Sequence, residues 1–194
     1  RQAYLSQRAV EARLEAELKN AGSIHFGSDI TANKADPFVQ QLTMTQQNLF
    51  AARRASFEAE VSALEQSIQA LKDQLWGVDQ SLTNRLVQIQ LQEKHLKSIK
   101  SLADEGYAPK NQVLQMEQTQ TELKTALSDL KSNQARLSRS IEESQFRLAQ
   151  RKQDYIKDVM GQLAEVKKEV QAGKERLTTT NEELARTQIK SPVE

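Results

Sequence analysis

A chain of 194 residues with 38% hydrophobic and 5% aromatic side chains, three prolines and six glycines does not have the makeup of a globular domain with a thick core. Its 27 basic and 26 acidic residues are interspersed for a net charge of +1, so no like-charged block is long enough to act as a nucleic-acid arm or an anionic-membrane anchor. Cysteine is absent, which excludes disulfides and thiolate metal sites, and the apolar runs are too short for a bilayer span or a signal-peptide core.

Residues 1–22 read as a short amphipathic helix, with Leu5, Val10, Leu14 and Leu18 roughly on one face and Gly22 as its terminator. Residues 23–36 lack a helical period, hold turn formers, and read as a loop. Asp36-Pro37 then opens the next helix. Aspartate accepts from free backbone amides as the cap, and proline is tolerated at the first helical position because its missing amide would be unpaired anyway.

From Phe57 the apolar positions step by four and three: Val61, Leu64, Ile68, Leu71, Leu75, Val78, Leu82, Ile89, Leu96 and Ile99 follow, with Arg85 and Gln92 as interruptions. The break is Asp104-Glu105-Gly106-Tyr107-Ala108-Pro109. Beyond it the repeat resumes with Val113, Met116, Leu123, Leu127, Leu130, Leu137, Ile141, Leu148 and Tyr155. The pattern predicts an all-α fold: a long antiparallel two-helix coiled-coil hairpin over 37–188, with an additional short N-terminal helix. Its parts are a helix over 37–104, about 100 Å long at 1.5 Å per residue, a tip at 105–109, and a helix over 110–187. Pairing around the turn places Ile99 near Gln115 or Met116.

Several irregularities carry expectations of their own. Gly77 lies inside the first long helix, where a bend or a close backbone contact explains it better than a break. Gln120, Gln134, Ser144 and Arg151 stand where leucine belongs in the second long helix. From Arg151 to Leu163 three consecutive steps of four form a stutter, which unwinds the supercoil locally and points to a change of packing against the first helix. Leu177-Thr178-Thr179-Thr180 has weak helix propensity, so the end is expected to fray. Leu86, Val87 and Leu91, like Ala51, Ala52 and Ala55, lie off the seam and are candidates for lateral contacts or for contact with the first helix.

Little supports catalysis. His25 lies in the loop, and His95 is flanked by Lys94 and Lys97, which offer no metal partner. Glu142-Glu143 and Glu182-Glu183 sit on long exposed helices, and no glycine-rich phosphate loop, nucleophile elbow or metal-binding helix motif occurs. Neither an enzyme nor a cofactor is expected. Lys94, Lys97 and Lys100 form a basic stripe before an acidic turn, read either as a solubilising face or as a docking surface. Tyr107 either packs over the hairpin end or presents a contact to a partner.

Three features together carry a family resemblance. They are the short helix and loop ahead of a long heptad hairpin, the tip phrase from Leu102 through Leu114, and the ending Thr187-Gln188-Ile189-Lys190-Ser191-Pro192-Val193. The whole chain resembles the HlyD-like periplasmic adaptors, or membrane fusion proteins, of Gram-negative type I secretion. Phe38 through Arg54 is most similar to the protease- and lipase-exporting branch (the PrtE, AprE and LipC type).

The resemblance implies that residues 189–194 begin a truncated lipoyl-like β domain, and that an inner-membrane anchor precedes Arg1 in the full-length protein. It implies a periplasmic location for this segment and a ring of several hairpins. It implies, too, an inner-membrane ABC transporter at the base, an exported protein in transit, and no nucleic acid. At the tip it implies docking to a TolC-like outer-membrane channel through Leu102, Ala103, Asp104, Glu105, Gly106, Tyr107, Ala108, Pro109 and Lys110.

One departure matters. Drug-efflux adaptors of the wider family carry Arg-x3-Leu-x6-Ser at the tip. With the leucine aligned on Leu102, Ser98 replaces the arginine and Pro109 the serine, so only Leu102 carries a residue role across. The rival reading is a cytoplasmic coiled-coil scaffold or spacer without a transport role.

Overall fold

The computed structural model describes residues 1–187. The elements run α1 (Gln2–Leu18), α2 (Ser28–Thr31), α3 (Pro37–Asp104) and α4 (Lys110–Thr187). No strand occurs among the described residues, and none of their helices is long and apolar enough to cross a membrane. The expected β start at 189–194 lies outside the described residues.

The chain divides into two units. One comprises residues 1–61 with the described residues from 150 onward, and the other residues 62–149.

The second unit contains the facing stretches of α3 and α4 and the turn that joins them. Its best-buried side chains are the seam residues Ile68, Leu82, Ile89, Met116, Leu123 and Ile141, each still 6–9% exposed. Two helices cannot enclose a side chain on all sides, so a hairpin stretch keeps a thin, wetted seam. Two of the polar seam residues of α4 reach across to α3: Gln120 donates to Glu93 Oε1 at 3.1 Å, and Gln134 donates to Asp79 Oδ1 at 2.7 Å. Lys124 also pairs with Glu93 at 3.4 Å. These rungs explain why polar residues interrupt the leucines, since each is half-covered yet reaches a carboxylate at the seam edge. Arg85 instead bonds along its own helix to Gln88 at 2.9 Å.

As expected, the helix does not break at Gly77; of a bend and a close backbone contact, the contact is ruled out, because a Cβ built there would meet nothing within 4 Å. Gly77→Ala is therefore expected to stabilise the chain by about 1 kcal/mol. The check is the midpoint of chemical denaturation followed by circular dichroism, and a lowered midpoint would reveal a demand for glycine. The close approach occurs instead at Gly173, where a Cβ would lie 3.4 Å from the Tyr4 ring.

In the first unit α1 fills the groove between the lower parts of α3 and α4. Leu5 and Ala9 pack with Ile30 and Val39, flanked by Tyr4, Phe26, Phe38 and Leu42. Leu14 packs on Val159 and Leu163, flanked by Val10, Tyr155 and Val166. With a third helix present, Ala9, Leu14, Ile30, Val39 and Val159 reach 0–1% exposure. The change of packing expected at the stutter is thus the seating of α1 on its own hairpin.

The buried face of α1 is wider than the expected one. Leu5 and Leu14 are buried and Val10 is half-buried, whereas Leu18 is exposed, and Ala9, Glu11, Arg13, Ala16 and Glu17 are also buried. A helix lying between two others has contacts on two sides, so even its polar residues are covered. Glu17, whose side chain is fully buried, joins the three helices. Arg13 Nη1 lies 2.5 Å from its Oε1, Arg53 Nε lies 3.2 Å from its Oε2, and Tyr155 Oη donates to the same oxygen at 3.3 Å. Arg13 Nε donates to Gln46 at 2.9 Å, and Arg53 Nη2 to Asp158 at 3.1 Å. Burial and then the Glu17 carboxylate push the Tyr155 phenol above its ordinary pKa, which keeps it a neutral donor. Below Tyr155, Phe57 stacks on its ring at 4.2 Å, and Arg151 caps Phe57 while pairing with Glu60.

The ends of α1 and the following loop also differ from expectation. Helix α1 stops at Leu18 rather than near Gly22, because Asn20 takes φ +48° and closes a Schellman pair. In it the Ala21 amide donates to Ala16 O at 2.9 Å and the Asn20 amide to Glu17 O at 3.1 Å. The expected loop at 23–36 holds one helical turn, α2, pinned by buried Ile30. Asp29 organises it. Its carboxylate accepts from Arg8 Nε at 2.7 Å and Tyr4 Oη at 3.3 Å, and from the Ile30 amide at 3.1 Å. Burial opposes the Asp29 charge, but Arg8, the Ile30 amide and the Tyr4 hydroxyl together outweigh it and hold the carboxyl below its ordinary value.

Asp36 caps α3 as expected, its Oδ1 accepting from the Phe38 amide at 2.9 Å with Pro37 at the first helical position. At the other end α4 does not fray at its threonines. The Thr178 and Thr179 hydroxyls donate to carbonyls one turn back, at 3.0 and 3.1 Å, and the helix continues to Thr187.

Candidate functional site at the hairpin tip

The tip is built from the end of α3, a five-residue turn and the start of α4. Gly106 adopts φ +84°, a conformation open to glycine and strained for side chains with a Cβ. It closes a second Schellman pair: the Tyr107 amide donates to Leu102 O at 2.8 Å and the Gly106 amide to Ala103 O at 3.1 Å. Pro109 precedes Lys110, the first residue of α4, and its carbonyl accepts from the Gln112 amide at 3.0 Å. The turn backbone is thus hydrogen-bonded from both sides.

That backbone fixes where the side chains stand. Tyr107 is 80% exposed, so it does not pack over the hairpin end, which was one of its two expected roles. Leu102 is 43% exposed. Asp104, Glu105, Gly106, Pro109 and Lys110 are exposed, and only Ala103 and Ala108 are half-buried. Sequence reading missed Leu114, which is 63% exposed beside half-buried Val113. Its signal was an apolar residue one step off the seam close to a turn.

Lys100, of the expected basic stripe, reaches Glu117 on α4 at 3.4 Å, while Lys94 and Lys97 stay exposed. This pairing agrees with the expected proximity of Ile99 to Met116. Lys100, Ala103, Asp104, Lys110, Val113 and Leu114 line an open notch of about 250 Å³ beside the turn. The tip thus offers aromatic and aliphatic side chains on an ordered backbone, with both charge signs around them. Exposed aromatic and aliphatic groups of this kind are the side chains that protein contacts bury. Leu86, Val87 and Leu91, also off the seam in this unit, are exposed as well, as are Trp76 and Phe146.

Comparison with known proteins agrees with this architecture. Residues 1–183 match the family model described as AprE, long alpha-helical hairpin. The chain is 32% identical over 190 residues to the alkaline protease secretion protein AprE of Pseudomonas aeruginosa, covering 98% of this chain and 44% of that protein. It is 23% identical over 185 residues to the type I secretion system membrane fusion protein PrsE of Rhizobium meliloti, covering 95% of this chain and 42% of that one. The chain therefore spans less than half the length of these curated relatives. The crystal structure of the soluble domain of LipC, a membrane fusion protein of a type I secretion system, matches with TM-score 0.93 and 29% identity over 100% of this chain and 91% of that one. A hairpin seam, a short helix laid in its base and a family match over nearly the whole length lead to one assignment: the chain belongs to the AprE long alpha-helical hairpin family.

Proposed function

We propose that this chain is the helical hairpin of a periplasmic adaptor for type I protein secretion. In this reading the full-length protein is anchored in the inner membrane and engages an ABC transporter there, and the hairpin tip docks on a TolC-like outer-membrane channel. Copies of the adaptor stand side by side around the exported protein. The relatives named for secretion favour this role over a cytoplasmic spacer. The observation that carries the tip's role is the exposure of Tyr107, Leu102 and Leu114 on a hydrogen-bonded turn. Exposed large apolar groups cost solubility, and their clustering at a helix end fits a protein contact.

The test is Asp104→Lys with Glu105→Lys in the full-length protein. Export of the cognate substrate is expected to be lost, with adaptor abundance and helicity unchanged. Normal export by this variant would overturn tip docking, and fractionation of the adaptor with cytoplasmic proteins would favour the spacer.

A further inference from the structure

We infer that the ionic cluster around Glu17 is a register lock, which selects one seating of α1 on the hairpin from several that apolar packing alone would allow. The apolar stripes in contact are periodic. On α4 the residues Tyr155, Val159, Leu163, Val166 and Val170 recur every turn, and on α1 Val10 and Leu14 lie one turn apart. Sliding α1 by one turn, 5.4 Å along its axis, would move Leu14 from Val159 and Leu163 towards Val166 and bring Val10 over Val170. Between Val10, Leu14 and this stripe of α4, aliphatic contact would thus be exchanged for aliphatic contact.

The polar groups have no such freedom. Glu17 is held at once by Arg13 of its own helix, Arg53 of α3 and Tyr155 of α4. A one-turn slip carries the carboxylate out of hydrogen-bond reach of both Arg53 and Tyr155, and it draws Arg13 away from Gln46. The slipped state would leave buried charges without partners, a cost that apolar rearrangement does not offset. Every buried polar side-chain atom among the described residues has a partner in the observed seating. Buried ion pairs add little net stability relative to apolar replacements, and their best-attested use is to specify register. A charge cluster spanning all three helices suits that use.

The chain has no cysteine, so introduced pairs report register cleanly. Glu15 Oε1 and Lys167 Nζ lie 3.2 Å apart across α1 and α4, a gap spanned by two long side chains, so Glu15→Cys with Lys167→Cys, bridged by a short bifunctional thiol reagent, is the reporter of the native seating. Glu15→Cys with Gln171→Cys, or with Ala164→Cys, reports a slip of about one turn in either direction. With the cluster intact, the native pair is expected to cross-link and the slipped pairs to stay near background.

In the charge-free triple variant R13M/E17L/R53M, helicity is expected to be retained, and slipped cross-links are expected to rise about five-fold or more relative to the native one, the change that a loss of about 1 kcal/mol of preference produces. The conservative variant Glu17→Gln, which keeps shape and hydrogen bonding, should give an intermediate rise. Cross-linking confined to the native pair in the triple variant would overturn the lock. Loss of cross-linking from every pair would overturn it too, because the cluster would then attach α1 rather than choose its register.

Discussion

Glu17→Ala is expected to destabilise the first unit by about 3–5 kcal/mol, the range for removing one partner from a buried ion pair. The magnitude follows from what is left behind. The Arg13 side chain is 6% exposed, and without Glu17 its guanidinium keeps only Gln46 as a partner among the contacts described here. Arg53 retains Asp158, so its loss is smaller, and Tyr155 Oη loses its acceptor. Thermal unfolding followed by circular dichroism should show the loss, and hydrogen exchange should locate it in α1 and residues 150–170 rather than in 62–149. A destabilisation below about 1 kcal/mol would place the pair with exposed salt bridges, against its complete burial. The contrast with the charge-free triple variant is part of the expectation. Removing one charge strands the others, whereas removing all three leaves only the neutral Gln46 amide and Tyr155 hydroxyl without those partners.

The physics of each element decides how much of it could be read from the sequence. The hairpin was legible because a seam of Leu, Ile and Val repeats over many turns, and because Gly106 and Pro109 punctuate it. The stutter at 151–163 was legible for the same reason, since a change of period is a change of partner. The buried arc of α1 was not. Glu11, Arg13 and Glu17 lie off the stripe of Leu5, Val10, Leu14 and Leu18, and nothing near them in the chain announces Arg53 or Tyr155. Burial of a charge becomes tolerable only through partners that tertiary structure supplies. The single turn of α2 is too short to carry a period, and its stability rests on Ile30 and Asp29 meeting α1 and α3.

At the tip, the segment was located by its break in the heptads. The two readings of Tyr107 differed only in where a side chain points, which spacing does not encode. Leu114 was passed over because its neighbour Val113 already filled the seam.

Under the docking reading, Tyr107→Ala is expected to weaken binding of the hairpin to its outer-membrane channel by at least about 2 kcal/mol, roughly thirty-fold in Kd. A tyrosine 80% exposed in the free chain has most of its surface available for burial by a partner. Its backbone is already fixed by the Tyr107 amide bond to Leu102 O at 2.8 Å, so little chain entropy remains to be lost on docking. Leu114→Ala, at a smaller side chain 63% exposed, should cost less, and Tyr107→Phe should separate the ring from its hydroxyl. Because the Tyr107 side chain makes little contact within the hairpin, its truncation should leave stability within about 0.5 kcal/mol. Titration of the purified hairpin against the channel checks the affinity, and a denaturation curve checks the fold. If Tyr107→Ala bound within two-fold of the unaltered chain, the apolar tip would not be the anchor. The contact would then fall to the charged groups around it, Asp104, Glu105 and Lys110, and binding would weaken steeply with added salt. An aromatic anchor predicts the opposite: binding that persists when salt is raised and is lost when one ring is removed.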